Sequence, residues 1–114
     1  MKFLIADDNK TNRFILKKLF QKLDITNIDF VNDGNNAVDT YRKGVYDLVF
    51  LDQRMNKMNG DIAAKRILEK DPDAKLISIS TFEEINSNLF CEHFEKPFTV
   101  ASLKQLLQKL NVKF

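Results

Sequence analysis

A single cysteine, Cys91, leaves no partner for an internal disulfide and rules out a four-cysteine zinc site. A reducing, cytoplasmic setting is therefore expected. The three glycines are scattered, and none belongs to a Gly-rich loop of the kind that cradles a nucleotide's phosphates. Charge of one sign is also lacking. Eighteen Lys and Arg stand against sixteen Asp and Glu, a net charge of +2 with no basic run, which argues against direct nucleic-acid binding. Long apolar runs are missing as well. Phe3-Leu4-Ile5 gives way to charge at Asp7, far too soon for a signal-peptide core, and no stretch approaches a membrane span. The mature chain is expected to start at Met1 and to have no membrane association. Repeats, low-complexity segments and linkers are absent, and 114 residues suit one domain, 1–114, with no output domain expected.

What is present is a composition of 44% hydrophobic and 30% charged residues, neither disordered nor membrane-embedded. A chain of this size hides roughly two-thirds of its unfolded surface, enough for one core. Two periodicities alternate along it. Lys2–Ala6, Ile28–Val31, Tyr46–Leu51 and Lys75–Ile79 are short runs rich in β-branched or aromatic residues and read as strands. Between them, Leu16, Leu19, Phe20 and Leu23 share one face of a helix from about Thr11. Ala37, Val38 and Tyr41 mark a shorter helix expected to stop near Gly44. Ala63, Ala64, Ile67 and Leu68 mark a third, ending before Asp71-Pro72. Leu103, Leu106, Leu107 and Leu110 give the last, with Thr99 as its N-cap. Alternating strands and helices imply an α/β fold, a five-stranded parallel sheet covered on both faces.

One connection is unusually short. If the fourth strand ends at Ser80 and the fifth begins near Cys91, residues 81 to 90 must make a crossover that ordinarily needs at least about 10–12 residues with its helix. Phe82, Ile85, Leu89 and Phe90 allow a stub, so the fourth helix is expected to be shortened or degenerate.

Ligands of open α/β sheets bind outside the C-terminal ends of the strands. Those ends carry Asp7-Asp8, Asp52, Ser80-Thr81 and Lys96-Pro97. Three carboxylates so close oppose one another's ionisation unless a cation joins them. An oxygen-only donor set without His or Cys suits a hard ion, most plausibly Mg²⁺. A carboxylate beside Mg²⁺, a Lys and a hydroxyl is equipped to accept a phosphoryl group as an acyl phosphate.

Through Leu4-Ile5-Ala6-Asp7-Asp8-Asn9, Leu51-Asp52-Gln53-Arg54-Met55 with Met58 and Gly60, Ile79-Ser80, and Glu95-Lys96-Pro97-Phe98, the sequence resembles the receiver domain of bacterial two-component response regulators. The resemblance spans essentially the whole chain. It implies a flavodoxin-like sheet of order 2-1-3-4-5. By position it implies that Asp52 is the phosphoacceptor, Asp8 a direct Mg²⁺ ligand, Asp7 an assistant through water, and the Arg54 carbonyl a further ligand. It assigns Lys96, followed by a cis bond to Pro97, to a phosphoryl oxygen, and Ser80 to the switch hydroxyl, coupled to an aromatic on the fifth strand.

The departures are specific. Asn56 stands where the family usually has Pro, Thr81 where it has Ala or Gly, and His93 at the switch-aromatic position. Arg54 and Phe82 occupy positions that tune the phosphoryl lifetime in the family, so altered dephosphorylation is expected. Singly, these residues have ordinary readings. An Asp-Asp pair after a strand is commonly a turn or a cap, and Cys91 reads as a small hydrophobe. Lys104, Lys109 and Lys113 read as the solvated side of the last helix, beside acidic Glu83, Glu84 and Glu92.

The expectation is a stand-alone, monomeric receiver, not an enzyme beyond self-phosphorylation and autodephosphorylation. It takes a phosphoryl group on Asp52 from the phosphohistidine of a histidine kinase or histidine phosphotransfer protein. An unidentified downstream protein is then engaged through the fourth-helix, fifth-strand and fifth-helix face. The alternative is a phosphorylation-independent receiver-like interaction module. A small Mg²⁺-dependent phosphatase is disfavoured because Arg54, not a second Asp, lies two residues beyond Asp52.

Overall fold

The computed structural model describes residues 1–55, 58–80, 88–95 and 98–113, and of residue 80 the backbone alone. Five strands form one parallel sheet: β1 Phe3–Ala6, β2 Ile28–Val31, β3 Leu48–Asp52, β4 Leu76–Ser80 and β5 Glu92–Glu95. Their order is β2-β1-β3-β4-β5. The described residues hold four helices, α1 Lys10–Lys22, α2 Gly34–Thr40, α3 Gly60–Lys70 and α4 Val100–Lys109.

The layers follow from strand alternation. Phe3, Ile5, Leu48, Phe50, Ile77, Ile79 and Phe94 face α1 and α4, meeting Leu16, Phe20, Leu103, Leu106 and Leu107. Leu4, Ala6, Val49, Leu51 and Leu76 face α2 and α3, meeting Ala37, Ala63, Ala64 and Ile67. Every residue of β1 and β3 is buried, as expected of central strands covered on both sides, whereas β2 at the edge is half-buried throughout. On the first face, Phe3, Phe20 and Phe50 pack edge to face or tilted, with centroids 5.5–6.1 Å apart.

The short helix α2 ends at Thr40, earlier than the expected stop near Gly44. Tyr41 leaves the helix at ψ 132°. Its buried side chain donates its hydroxyl to Asp71 Oδ2 at 2.6 Å, so the residue that follows the helix is held by a tertiary contact, three residues before the glycine. Gly44 still serves the turn into β3, at φ 81°. Of the short crossover, residues 81–87 lie outside the described residues, and so does the expectation of a shortened fourth helix. Its last part is a turn at Asn88 and Leu89, followed by Phe90, buried on the α2/α3 side. Among the described residues no helix is long and apolar enough to cross a membrane.

Candidate functional site

The strand order reverses direction between β1 and β3, since β1 is followed by β2 on one side and β3 by β4 on the other. The two strands run in register, Ala6 beside Leu51, so their next residues, Asp7 and Asp52, arrive together at the C-terminal edge. Carboxylate oxygens of Asp7, Asp8 and Asp52 lie within 4.8 Å of one another. Asp7 is fully buried and Asp52 is 7% exposed.

Local structure aims these groups. Asp7 Oδ1 accepts the Asn9 N–H at 2.9 Å, while Asn9 caps α1 by accepting the Asn12 N–H at 3.0 Å. Arg13, one turn into that helix, donates from Nη1 to the Asp7 carbonyl at 2.7 Å. Asp52 Oδ1 accepts the Arg54 N–H at 3.2 Å. Across the loop, Gly60 opens α3 and donates its N–H to the Gln53 carbonyl at 3.1 Å. An added Cβ there would lie 2.5 Å from the Asp52 carbonyl oxygen.

Asp7 Oδ2 is buried with no hydrogen-bond partner. A buried carboxylate oxygen left unsatisfied is costly, and a second and third carboxylate beside it add like charge. A hard divalent cation of the Mg²⁺ class fits this all-oxygen donor set.

The structure therefore brings together Asp7, Asp8 and Asp52, with Arg54 adjacent. Ser80 ends β4 one residue beyond Ile79, the register partner of Asp52. Thr81 and Lys96 lie outside the described residues, as do Asn56, Phe82 and Pro97. His93 sits on β5 beside Ser78 in register, and borders a cleft of about 480 Å³ between β5 and α4. Its Nε2 is 3.7 Å from Glu95 Oε1. Two neighbours of the site have no role in the sequence-based reading. Gln53 makes a buried side-chain bond to Ser78, and Arg13 braces Asp7. The only sequence signal for the first was a polar residue directly after the strand-end carboxylate, and for the second a cation one helical turn after the N-cap.

The family of the chain follows from comparison with known proteins. The response regulator receiver domain model matches residues 3–108, and the chain belongs to that family. It is 38% identical over 118 residues to the two-component response regulator 24 of Arabidopsis thaliana, covering 95% of this chain and 82% of that protein. It is 30% identical over 110 residues to the autoinducer 1 sensor kinase/phosphatase LuxN of Vibrio harveyi, covering 91% of this chain but 13% of that protein. Among solved structures, the response regulator TrrA of Thermotoga maritima, crystallised in complex with Mg(2+)-BeF, superposes with a TM-score of 0.85 at 32% identity. That superposition covers 96% of this chain and 99% of TrrA.

Proposed function

We propose that this chain, as one receiver domain over residues 1–114, accepts a phosphoryl group on Asp52 from the phosphohistidine of a histidine kinase or a histidine phosphotransfer protein. The observation that carries the reading is the convergence of three carboxylates at the β1/β3 switch point, one of them with a buried oxygen lacking a partner. An Asp52 carboxylate oxygen attacks phosphorus, the O–P bond forms as the donor's N–P bond breaks, and the imidazole leaves. Asp8 and Asp52, the Arg54 carbonyl and, through water, Asp7 would hold Mg²⁺. That ion supplies neutralisation of the phosphoryl oxygens. The Arg54 N–H orients the attacking carboxylate. Lys96 contacts a phosphoryl oxygen and Ser80 offers its hydroxyl to the product. Thr81 and His93 adjust access and the switch. The added charge then biases a protein-binding surface around β5 and α4.

The relation to TrrA, 32% identical over nearly the whole chain and crystallised with Mg(2+)-BeF, supports the choice of metal and chemistry. The test is incubation with Mg²⁺ and acetyl phosphate, read by intact mass. One added phosphoryl group is expected on the native chain and none on Asp52→Asn. A native chain that stays unlabelled, under conditions that label an ordinary receiver, would favour the phosphorylation-independent interaction module. Many turnovers without an adduct would indicate a phosphatase.

A further inference from the structure

Gln53, the residue after Asp52, is held at three points. Its N–H donates to the Ile79 carbonyl at 3.2 Å, its carbonyl accepts the Gly60 N–H at 3.1 Å, and its Nε2 donates to Ser78 Oγ at 2.9 Å. Gln53 is 7% exposed and Ser78 fully buried. Burial alone would be served better by an apolar pair, because Leu51 and Leu76 beside them pack against the α3 residues Ala63, Ala64 and Ile67. A carboxamide there carries a desolvation cost that only its hydrogen bonds offset. What the polar pair adds is position. Apolar contacts tolerate sliding, whereas an amide aimed at one hydroxyl fixes the loop to the strand.

Position matters at this point in the chain. The N–H that orients Asp52 Oδ1 belongs to Arg54, the residue following Gln53. A shift of Gln53 therefore moves the donor that aims the nucleophile. Ser78 in turn lies two residues before the end of β4 at Ser80. The contact thus ties the loop of the attacking carboxylate to the strand that ends beside it.

We propose that Gln53, through Ser78, is a positioning residue for phosphoryl uptake at Asp52, keeping the β3–α3 loop in register with β4. The proposal rests on the reading of Asp52 as phosphoacceptor. Gln53→Met keeps length and volume but loses the donor, and Ser78→Ala loses the acceptor. Each variant, and the double variant, is incubated with Mg²⁺ and acetyl phosphate, and adduct formation is timed by intact mass. Urea unfolding establishes that each is folded under the labelling conditions, so that a slower rate reports position rather than unfolding.

Both single variants are expected to label about five-fold more slowly, the kinetic equivalent of one buried hydrogen bond. The double variant is expected to be no slower than the slower single one, because both changes remove the same contact. In the native chain, the Gln53 side-chain amide resonances are expected to shift on addition of Mg²⁺ and beryllofluoride. That measurement decides the matter if the variants do not fold. Single variants that label at the native rate, additive slowing in the double variant, or an unmoved Gln53 amide signal would each overturn the proposal while leaving Asp52 as phosphoacceptor. A native chain that takes no label would reject the phosphoacceptor reading and this proposal with it.

Discussion

Gly60 shows how closely the backbone itself limits this site. It begins α3 against the back of Asp52, where an added Cβ would lie 2.5 Å from the Asp52 carbonyl oxygen and 3.1 Å from Gln53 Cα. Both neighbours are backbone atoms, one at the end of β3 and one just after it, and cannot rotate away. Gly60→Ala is expected to destabilise the fold by about 1–3 kcal/mol, the cost of overpacking, in spite of alanine's better helix propensity. It should also slow labelling of Asp52 by displacing the loop. Urea unfolding and timed acetyl phosphate labelling check the two effects separately, and a variant of native stability would show that α3 can slide. The acidic residues were legible in the sequence because carboxylates at the ends of apolar runs stand out. The Gln53–Ser78 pair was not, because twenty-five residues separate the partners and only strand pairing brings them together.

At the scale of elements, two helix starts were expected from the sequence, that of α1 at about Thr11 and that of α4 after its Thr99 cap. Asn9, Asp33, Asn59 and Thr99 each accept an N–H of the first turn, a contact made within three residues and so encoded locally. At Thr99 the cap is reciprocal. Ser102 N donates to Thr99 Oγ1 at 3.0 Å, and Thr99 N to Ser102 Oγ at 3.2 Å. Helix α4 buries Leu103, Leu106 and Leu107 against the same aromatic cluster as α1, so losing its cap weakens one whole layer. Thr99→Ala is expected to lower unfolding stability by about 1 kcal/mol. Thermal and urea melts measure this, and an unchanged midpoint would mean that packing alone holds the first turn. Helix ends divided: α3 stops at Lys70, before Asp71-Pro72 as expected, but α2 does not reach its expected end. The local glycine, Gly44, points to an end near there, whereas α2 ends at Thr40, and Tyr41 just beyond it bonds to Asp71, thirty residues away.

For the molecule as a whole, the two edges of the sheet have different tasks. The C-terminal edge gathers the carboxylates. Toward the N-terminal edge, Tyr41 stacks on Tyr46 at 6.0 Å, Tyr46 donates to Asp29, and Lys2 pairs with Asp29 at 3.3 Å. The Tyr41 hydrogen bond holds the Asp71 carboxyl below its ordinary range, against the opposing effect of burial. A depressed folded value adds stability above the unfolded carboxylate range and loses it as pH falls through the folded value. In the other direction, burial first, then the bond and charge of Asp71, raise the Tyr41 phenol. Burial, followed by the bond and charge of Asp29, pushes Tyr46 up to about 12. These raised phenols support the fold fully below about pH 10, where a free tyrosine ionises, and withdraw that support as pH climbs toward their folded values. The melting temperature is therefore expected to fall on both the acid and the alkaline side. Tyr41→Phe should lower it at neutral pH and flatten the acid limb. A Tyr41→Phe profile parallel to the native one would count against this bond as the source.

By itself, the sequence determined the alternation of strands and helices, the Thr99 cap, and the identity of the acidic residues. Each of these depends on neighbours within one strand or one helical turn. That Asp7, Asp8 and Asp52 gather at one edge followed from their places at the strand ends, whereas only the tertiary structure decided that Asp7 Oδ2 is buried without a partner and that Gln53 is fastened to Ser78. Those facts depend on strand order and register, which join residues tens of positions apart. Local propensity carries no information about such distant partners, and burial becomes defined only when the sheet has closed under its helices.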